Sequence, residues 1–462
     1  MTTTPDDQLR TQPPPVKPHS IRPLLVRLHF YAGVFVGPFI LIAAITGLLY
    51  TLIPQIDSMV YRHELTVDQV GEHRLPLSDQ LVAARAAHPE GTVESIRPPA
   101  EPDETTQVSL MVEDVPPDYS RTVFVDPYTG EVRGALTTYG QWMPLRAWFD
   151  ELHRNLHLGA VGRNYSELAA SWMWLIALAG LALWLTQRRG SNNKLRKTLL
   201  PDRSATGRRR TLSWHGAVGV WTVVVLLALS VSGITWSRYA GETVNTIQAR
   251  LNTAAPSVDT ALVGGPASAP SHHGPGGGET NLHGADTVLR TAETAGLQGP
   301  MWLYPPSDTG QAWKVAERKR DWPPRYDAIA VDPESGAVTD RVDFAQWPLL
   351  AKLTEWTIGA HMGLLFGIVN QIVLALTMIG LITVIVRGYR MWWQRRPTRG
   401  SDWALGRPPL RGAIRGLPPL GIAALVVVTV GVGWSLPLFG LSLATFLIVD
   451  AVIAYRKRSA HV

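Results

Sequence analysis

Charge is absent from long stretches of this 462-residue chain, and that feature restricts its architecture more than any other. A hydrocarbon layer of about 30 Å is crossed by about 20 helical residues, and backbone buried there must satisfy its own hydrogen bonds. Residues 28–56, 168–187, 211–237 and 356–386 contain no Asp, Glu, Lys or Arg, and 416–455 is interrupted only by Asp450. The last run is long enough to cross twice, turning near Ser435 and Pro437. Six transmembrane helices are expected.

The segments between these runs set the orientation, because Lys and Arg in short loops are retained on the cytoplasmic side. Residues 1–27, 188–210, 387–415 and 456–458 carry 4, 9, 8 and 3 Lys or Arg, against only Asp6, Asp7, Asp202 and Asp402. Both termini are therefore expected in the cytoplasm. The first run lacks an A-x-A site and reads as a retained anchor. Residues 57–150 and 238–350 fall on the opposite side. Each reads as a small α+β domain: SDQLVAARAAHPEG and GADTVLRTAETAGL have helical spacing, whereas TQVSLMVE and WKVAERK alternate. Residues 253–280, rich in Gly, Pro and Ser, are expected to form a disordered loop.

Composition removes several chemistries. With no Cys there is no disulfide framework, thiolate metal site, cysteine nucleophile or covalently attached haem. The net charge of +6 sits in short blocks beside apolar runs, as in a membrane protein, and does not point to nucleic acid. No strand-borne G-x-G-x-x-G offers a nicotinamide or flavin site, and no Ser-His-Asp or paired-carboxylate spacing suggests hydrolysis.

The chain also contains one unit twice. His29 precedes Gly47 by 18 residues, and His215 precedes Gly233 by 18. Val125-Asp126-Pro127-x-x-Gly130 matches Val331-Asp332-Pro333-x-x-Gly336, and Gln141-Trp142 matches Gln346-Trp347. His153-x5-Gly159 then matches His361-x5-Gly367. Each copy is thus helix, outer domain, helix, with a histidine near the start of each helical segment.

Ligand-type side chains at membrane helices point to function, because an unpartnered polar group in hydrocarbon is costly. The topology places His29 and His215 near the cytoplasmic face and His153 and His361 near the outer face. Two imidazoles facing one another can supply both axial ligands of a haem iron without cysteine. A porphyrin needs a flat gap, and Gly33 and Gly37 follow His29 at i+4 and i+8, Gly219 follows His215 at i+4, and Gly363 and Gly367 lie near His361. Taken singly, such a histidine is more often a hydrogen-bonded interfacial anchor than a ligand, and such glycines usually serve helix packing. The recurrence of both favours ligation. His157 lies one turn after His153 on the same helical face, so either could be the outer ligand: equal spacing to Gly favours His153, whereas aligning His157-Leu-Gly with His361-Met-Gly favours His157. His153 also lies 15 residues before its uncharged run, which suggests an interfacial helix, whereas His361 falls inside its own.

His63, His73, His88 and His283 have no spacing partner, and His272 and His273 fall in the Gly/Pro-rich loop. Trp172, Trp174, Trp214, Trp236, Trp356, Trp392 and Trp393 suit an interfacial belt. Asp450, six residues from Arg456, is expected to snorkel to the cytoplasmic surface, with pairing to a basic residue or a part in proton movement as alternatives.

The segments LHFYAG, FVDPYTGEV, ELHRNLHLGAVGR, WHGAVG, AVDPESGAV and HMGLLFG resemble the PepSY-associated transmembrane helix family over about residues 20–395, HRNLHLG being the most specific. That resemblance implies a helical integral membrane protein of the bacterial inner membrane. Its duplicated helix, PepSY-like domain and helix unit forms a four-helix core, followed by a C-terminal hairpin. In order it has a basic N-terminus (1–27), helix 1 (28–56), PepSY-like domain 1 (57–150), an interfacial segment with helix 2 (151–187), a basic loop (188–210) and helix 3 (211–237). PepSY-like domain 2 (238–350), helix 4 (351–386), a second basic loop (387–415), the hairpin (416–455) and a tail (456–462) follow.

The resemblance further implies a b-type dihaem reductase that passes electrons outward to ferric siderophore, with two haems held by His29, His215, His153 and His361. Since no nucleotide site is evident, the donor is expected to be a quinol or another protein. Two rivals remain: a non-enzymatic membrane protein whose PepSY-like domains bind peptide or restrain a protease, and an iron or siderophore permease.

Overall fold

The computed structural model describes residues 21–187, 194–262, 282–308, 310–395 and 417–459. Its helices are α1 (Arg22–Phe35), α2 (Gly37–Tyr50), α3 (Ile53–Val60), α4 (Arg62–Leu65), α5 (Leu77–Ala87), α6 (Pro144–Asn155), α7 (Gly159–Gln187) and α8 (Lys194–Leu199). They continue with α9 (Gly207–Thr235), α10 (Ala240–Arg250), α11 (Ala285–Thr294), α12 (Leu349–His361), α13 (Gly367–Trp393), α14 (Pro419–Ser435) and α15 (Pro437–Ser459). The chain divides into two compact units, Met1–Ala44 with Asn164–Thr243 and Ile379–Val462, and Ile45–Arg163 with Val244–Met378.

Three of these helices, α7, α9 and α13, are long and apolar enough to cross a membrane, with 29, 29 and 27 residues. The first apolar run is not one straight helix but α1 and α2, bent by 59°. The break follows from Pro38, which has no N–H to return to Val34. The Val34 carbonyl instead accepts from the Tyr389 hydroxyl at 2.8 Å, so the kink leaves no orphaned acceptor there. The final run likewise divides, into α14 and the apolar part of α15 (Pro437–Ile453), each shorter than the three long spans. The described helices therefore provide three spans, or four counting the bent pair, where six were expected.

The fourth run also divides. Residues 351–386 are read above as one helix, yet α12 ends at His361 and α13 begins at Gly367. Gly363 and Gly367 have φ of +75° and +55°, a left-handed backbone that glycine adopts without steric cost. His361 therefore ends a short helix, as His153 does near the end of α6. The apparent difference between the two copies disappears.

The second unit holds β1 (Thr92–Arg97), β2 (Thr106–Met111), β3 (Ser120–Val125), β4 (Val132–Thr138), β5 (Met301–Tyr304), β6 (Trp313–Glu317), β7 (Ala328–Val331) and β8 (Val338–Val342). These form one antiparallel sheet in the order β4-β3-β2-β1-β5-β6-β7-β8. The two four-stranded halves meet at β1 and β5, where Ile96 pairs with Leu303. Alternation explains why they share a core: Val108 and Leu110 of β2 and Trp313 and Val315 of β6 turn the same way, against Leu81 of α5 and Val288 of α11. Asp286 of α11 accepts the Leu77 N–H at 2.6 Å, so one copy's helix caps the other's.

The two V-D-P-x-x-G motifs are equivalent turns. Asp126 and Asp332 each accept a backbone N–H two residues on, at 2.8 and 3.0 Å, and Gly130 and Gly336 have φ of +75° and +72°. Residues 253–262, read above as the start of a disordered loop, are held in place. Ala312 donates to the Thr260 carbonyl at 2.8 Å, Leu262 donates to Gly310 at 3.0 Å, and Val258 is buried. The rest of that loop, with His272 and His273, lies outside the described residues. Asp450 pairs with Arg27 of α1, so the alternative of a basic partner describes it better than snorkelling beside Arg456.

Candidate functional site

The first unit brings His29 of α1 to His215 of α9, with ring centres 6.1 Å apart and ring planes at 86°. Neither imidazole is free to turn. His29 Nδ1 lies 2.9 Å from the Ile176 carbonyl, and His215 Nδ1 lies 2.9 Å from the Val384 carbonyl. A carbonyl only accepts, so each Nδ1 carries the proton and each Nε2 keeps its lone pair for a metal.

The distance can be tested against axial ligation. An imidazole nitrogen lies about 2 Å from a first-row metal, and the ring centre about 1 Å beyond that nitrogen, so rings sharing one iron stand about 6 Å apart. The observed pair fits. A cavity of about 550 Å³ lies here, lined by His29, His215, Gly33 and Gly219 with Arg208 and Arg395. That is within the usual range of about 300–1,000 Å³ for cofactor sites. A Cβ added at Gly33 or Gly219 would meet nothing within 4 Å, so these two leave the bare faces that a flat macrocycle requires. Gly37 does not, because a Cβ there would lie 3.1 Å from the Tyr389 hydroxyl.

Two further glycines were not singled out from the sequence. A Cβ on Gly180 would stand 2.8 Å from His29 Cε1, and one on Gly388 would stand 3.6 Å from His215 Cε1. Gly180 and Ile176 lie 21 and 17 residues after Gly159, and Gly388 and Val384 lie 21 and 17 after Gly367. The repeat therefore extends to the groups that back each imidazole. Continuing the alignment from the His-x5-Gly motifs would have found them.

The second unit brings His153 to His361, with ring centres 6.3 Å apart and planes at 57°. Thr46 Oγ1 lies 2.9 Å from His153 Nδ1, and a Cβ on Gly47 would sit 3.2 Å from His153 Cε1. Gly47, marked by the repeat for its spacing, and its neighbour Thr46 thus support the other histidine of their own copy. Gly363 and Gly367 shape the turn after His361 and do not provide a bare helix face.

His157 is not brought to this pair. α6 stops at Asn155, Leu156 and His157 are left-handed at φ of +56° and +55°, and the shared helical face assumed above does not exist. Its ring instead packs 4.8 Å from that of Trp148, with Nδ1 3.3 Å from a Glu151 carboxylate oxygen. Gly159 has φ of +57°, matching +55° at Gly367, so the equal His-x5-Gly spacing is the structurally equivalent alignment. Among the described residues no three His, Asp or Glu side chains converge as a site for a bare metal ion. The histidines come together only as pairs.

A duplicated membrane-helix chain with one histidine of each pair from each copy is what the fold and sites define. The model of the PepSY-associated TM region matches residues 26–395, and the chain belongs to that family. No curated protein matches it.

Proposed function

We propose that this protein is a dihaem b reductase of the bacterial inner membrane, supplying electrons from a quinol or protein donor to ferric siderophore outside the cytoplasm. The observation that supports it best is that two imidazole pairs stand 6.1 and 6.3 Å apart, the spacing of rings sharing one iron. His29 and His215 would hold one haem, and His153 and His361 the other. Each haem supplies a one-electron Fe(III)/Fe(II) couple when bound.

The chain's own residues do the rest. Ile176 and Val384 fix the tautomers of the first pair, and Thr46 holds His153. Membrane helices exclude water from the spans. In the six-helix reading, α1 and α2 form one bent span, and α14 with α15 forms the hairpin. The substrate chemistry follows from ligand hardness: the oxygen donors of a siderophore hold Fe(III) and retain Fe(II) poorly, so one-electron reduction releases iron. The positive-inside pattern supports a reading with both termini cytoplasmic, His29 and His215 toward that face and His153 and His361 toward the outer one.

Pyridine haemochromogen analysis of protein purified from membranes tests this reading, with two haems b per chain expected. Vesicles given a quinol should then reduce an external ferric siderophore, read with an Fe(II) chelator. A folded, colourless protein would refute the proposal and leave the peptide-binding and permease readings.

A further inference from the structure

The repeated Gln-Trp motif has no part in holding the histidines, yet its first copy organises an unusual group of side chains. The guanidinium of Arg146 lies 3.6 Å from the centre of the Trp142 ring, and that of Arg320 lies 5.2 Å from it. With its amide oriented to suit its neighbours, Gln141 accepts from Arg320 at 2.9 and 3.1 Å, and Arg146 Nε donates to the Tyr50 hydroxyl at 3.0 Å. Arg146 is only 6% exposed, and its Nη2 has no hydrogen-bond partner among the described residues.

Two cations held against one ring, one of them buried, are unfavourable unless an anion offsets them. Asp57, which accepts from the Arg146 backbone, and Asp150 both feel the Arg146 charge, and Glu355 acts on Arg320, yet among the described residues no carboxylate forms an ion pair with either guanidinium. Burial also pushes Arg320 below its usual range. The site adjoins the second histidine pair. Arg146 precedes His153 on α6 by seven residues, two turns or about 10 Å along one face, and Arg320 Nη1 lies 3.8 Å from Sδ of Met362, the neighbour of His361.

We propose that Arg146 and Arg320, braced by Trp142, form a carboxylate-binding site beside His153 and His361. A planar guanidinium matches the two oxygens of a carboxylate, and a buried, unsatisfied Nη2 is ready to donate to it. Such a carboxylate has two sources here: a haem propionate, which rests on the function proposed above, or a carboxylate of the arriving ferric chelate.

The test uses full-length protein in a His29→Ala background, which retains only the outer haem. Arg146→Gln and Arg320→Gln should each speed haem transfer to apomyoglobin about tenfold if a propionate is held, with Arg146→Lys falling between. The same arginine changes in a His153→Ala background, which retains the inner haem, should change nothing and so control for folding. If haem retention is unaltered but ferric citrate binds about tenfold more weakly, while a carboxylate-free ferric trishydroxamate binds as before, the chelate is the occupant. If neither haem retention nor citrate binding responds, the site is refuted. Should the wild-type chain hold no haem, the proposed function fails, and citrate binding with monodisperse elution as the folding control decides this inference alone.

Discussion

Substituting Gly180 by Ala gives the sharpest test of how the first imidazole pair is held. The change should favour helix α7 itself by about 1 kcal/mol, since alanine is the better helix former. Its new methyl, however, would stand 2.8 Å from His29 Cε1, closer than real contacts allow, and a tight 3.3 Å from Nδ1. To reach an ordinary separation the ring must retreat by several tenths of an ångström. It is tied by the 2.9 Å bond to Ile176, so the retreat strains or breaks that bond. Overpacking of this kind costs about 1–3 kcal/mol and the hydrogen bond about 1 more, which outweighs the helix gain. Losing the group that orients a metal-bound histidine lowers metal affinity by about 10- to 100-fold.

The duplication supplies a matched control. At Gly388 the same methyl would lie 3.6 Å from His215 Cε1, an ordinary contact, so Gly388→Ala should be tolerated. Haem content by haemochromogen and the reduced-minus-oxidised spectrum read both variants. Gly180→Ala should lose about one haem of two or shift its band, while Gly388→Ala keeps both. Retention of both haems with an unchanged spectrum in Gly180→Ala, or equal damage from the two changes, would refute the reasoning.

His29→Ala or His215→Ala should remove one haem and spare the other, whereas His153→Ala or His361→Ala should do the reverse; equal loss of both from every variant argues against separate sites. His157→Ala should leave both haems and their spectra intact, because that ring packs on Trp148 and not in the pair. Burial pushes the Asp57 carboxyl up to about 6 from 3.8. The folded state therefore binds the extra proton between about pH 4 and 6, and stability falls as pH rises through that window. Asp57→Asn should flatten this dependence in thermal melts and raise the midpoint at pH 7; a steeper dependence would contradict it. Asp286→Ala removes the cap on α5 and should cost about 1 kcal/mol, seen as faster hydrogen exchange at Leu77 and Ser78.

The helices and strands were largely legible because their periodicities are local. SDQLVAARAAHPEG and WKVAERK became α5 and β6, and the four histidines marked by the repeat are brought together as two pairs. The break before Pro38 is readable from the proline itself, whereas the absence of charge reports only a run's length and not its continuity. The joining of β1 to β5 could not be read, since both halves carry the same alternation and nothing local says which edge meets which. Gly180 and Gly388 approach the histidines from other helices, so nothing in the sequence beside His29 or His215 marks them. Arg320 illustrates the same limit: it lies 174 residues from Arg146, and only tertiary folding stacks both beside Trp142.

Each shared element draws on both halves: His29 meets His215, His153 meets His361, and β1 meets β5. A polypeptide encoding one copy would own half of every assembly, with an unpaired strand edge and two solitary imidazoles. It could become complete only by finding a twin, so the tandem arrangement acts as a covalently tethered pseudo-dimer in which each partner's concentration is fixed by the chain.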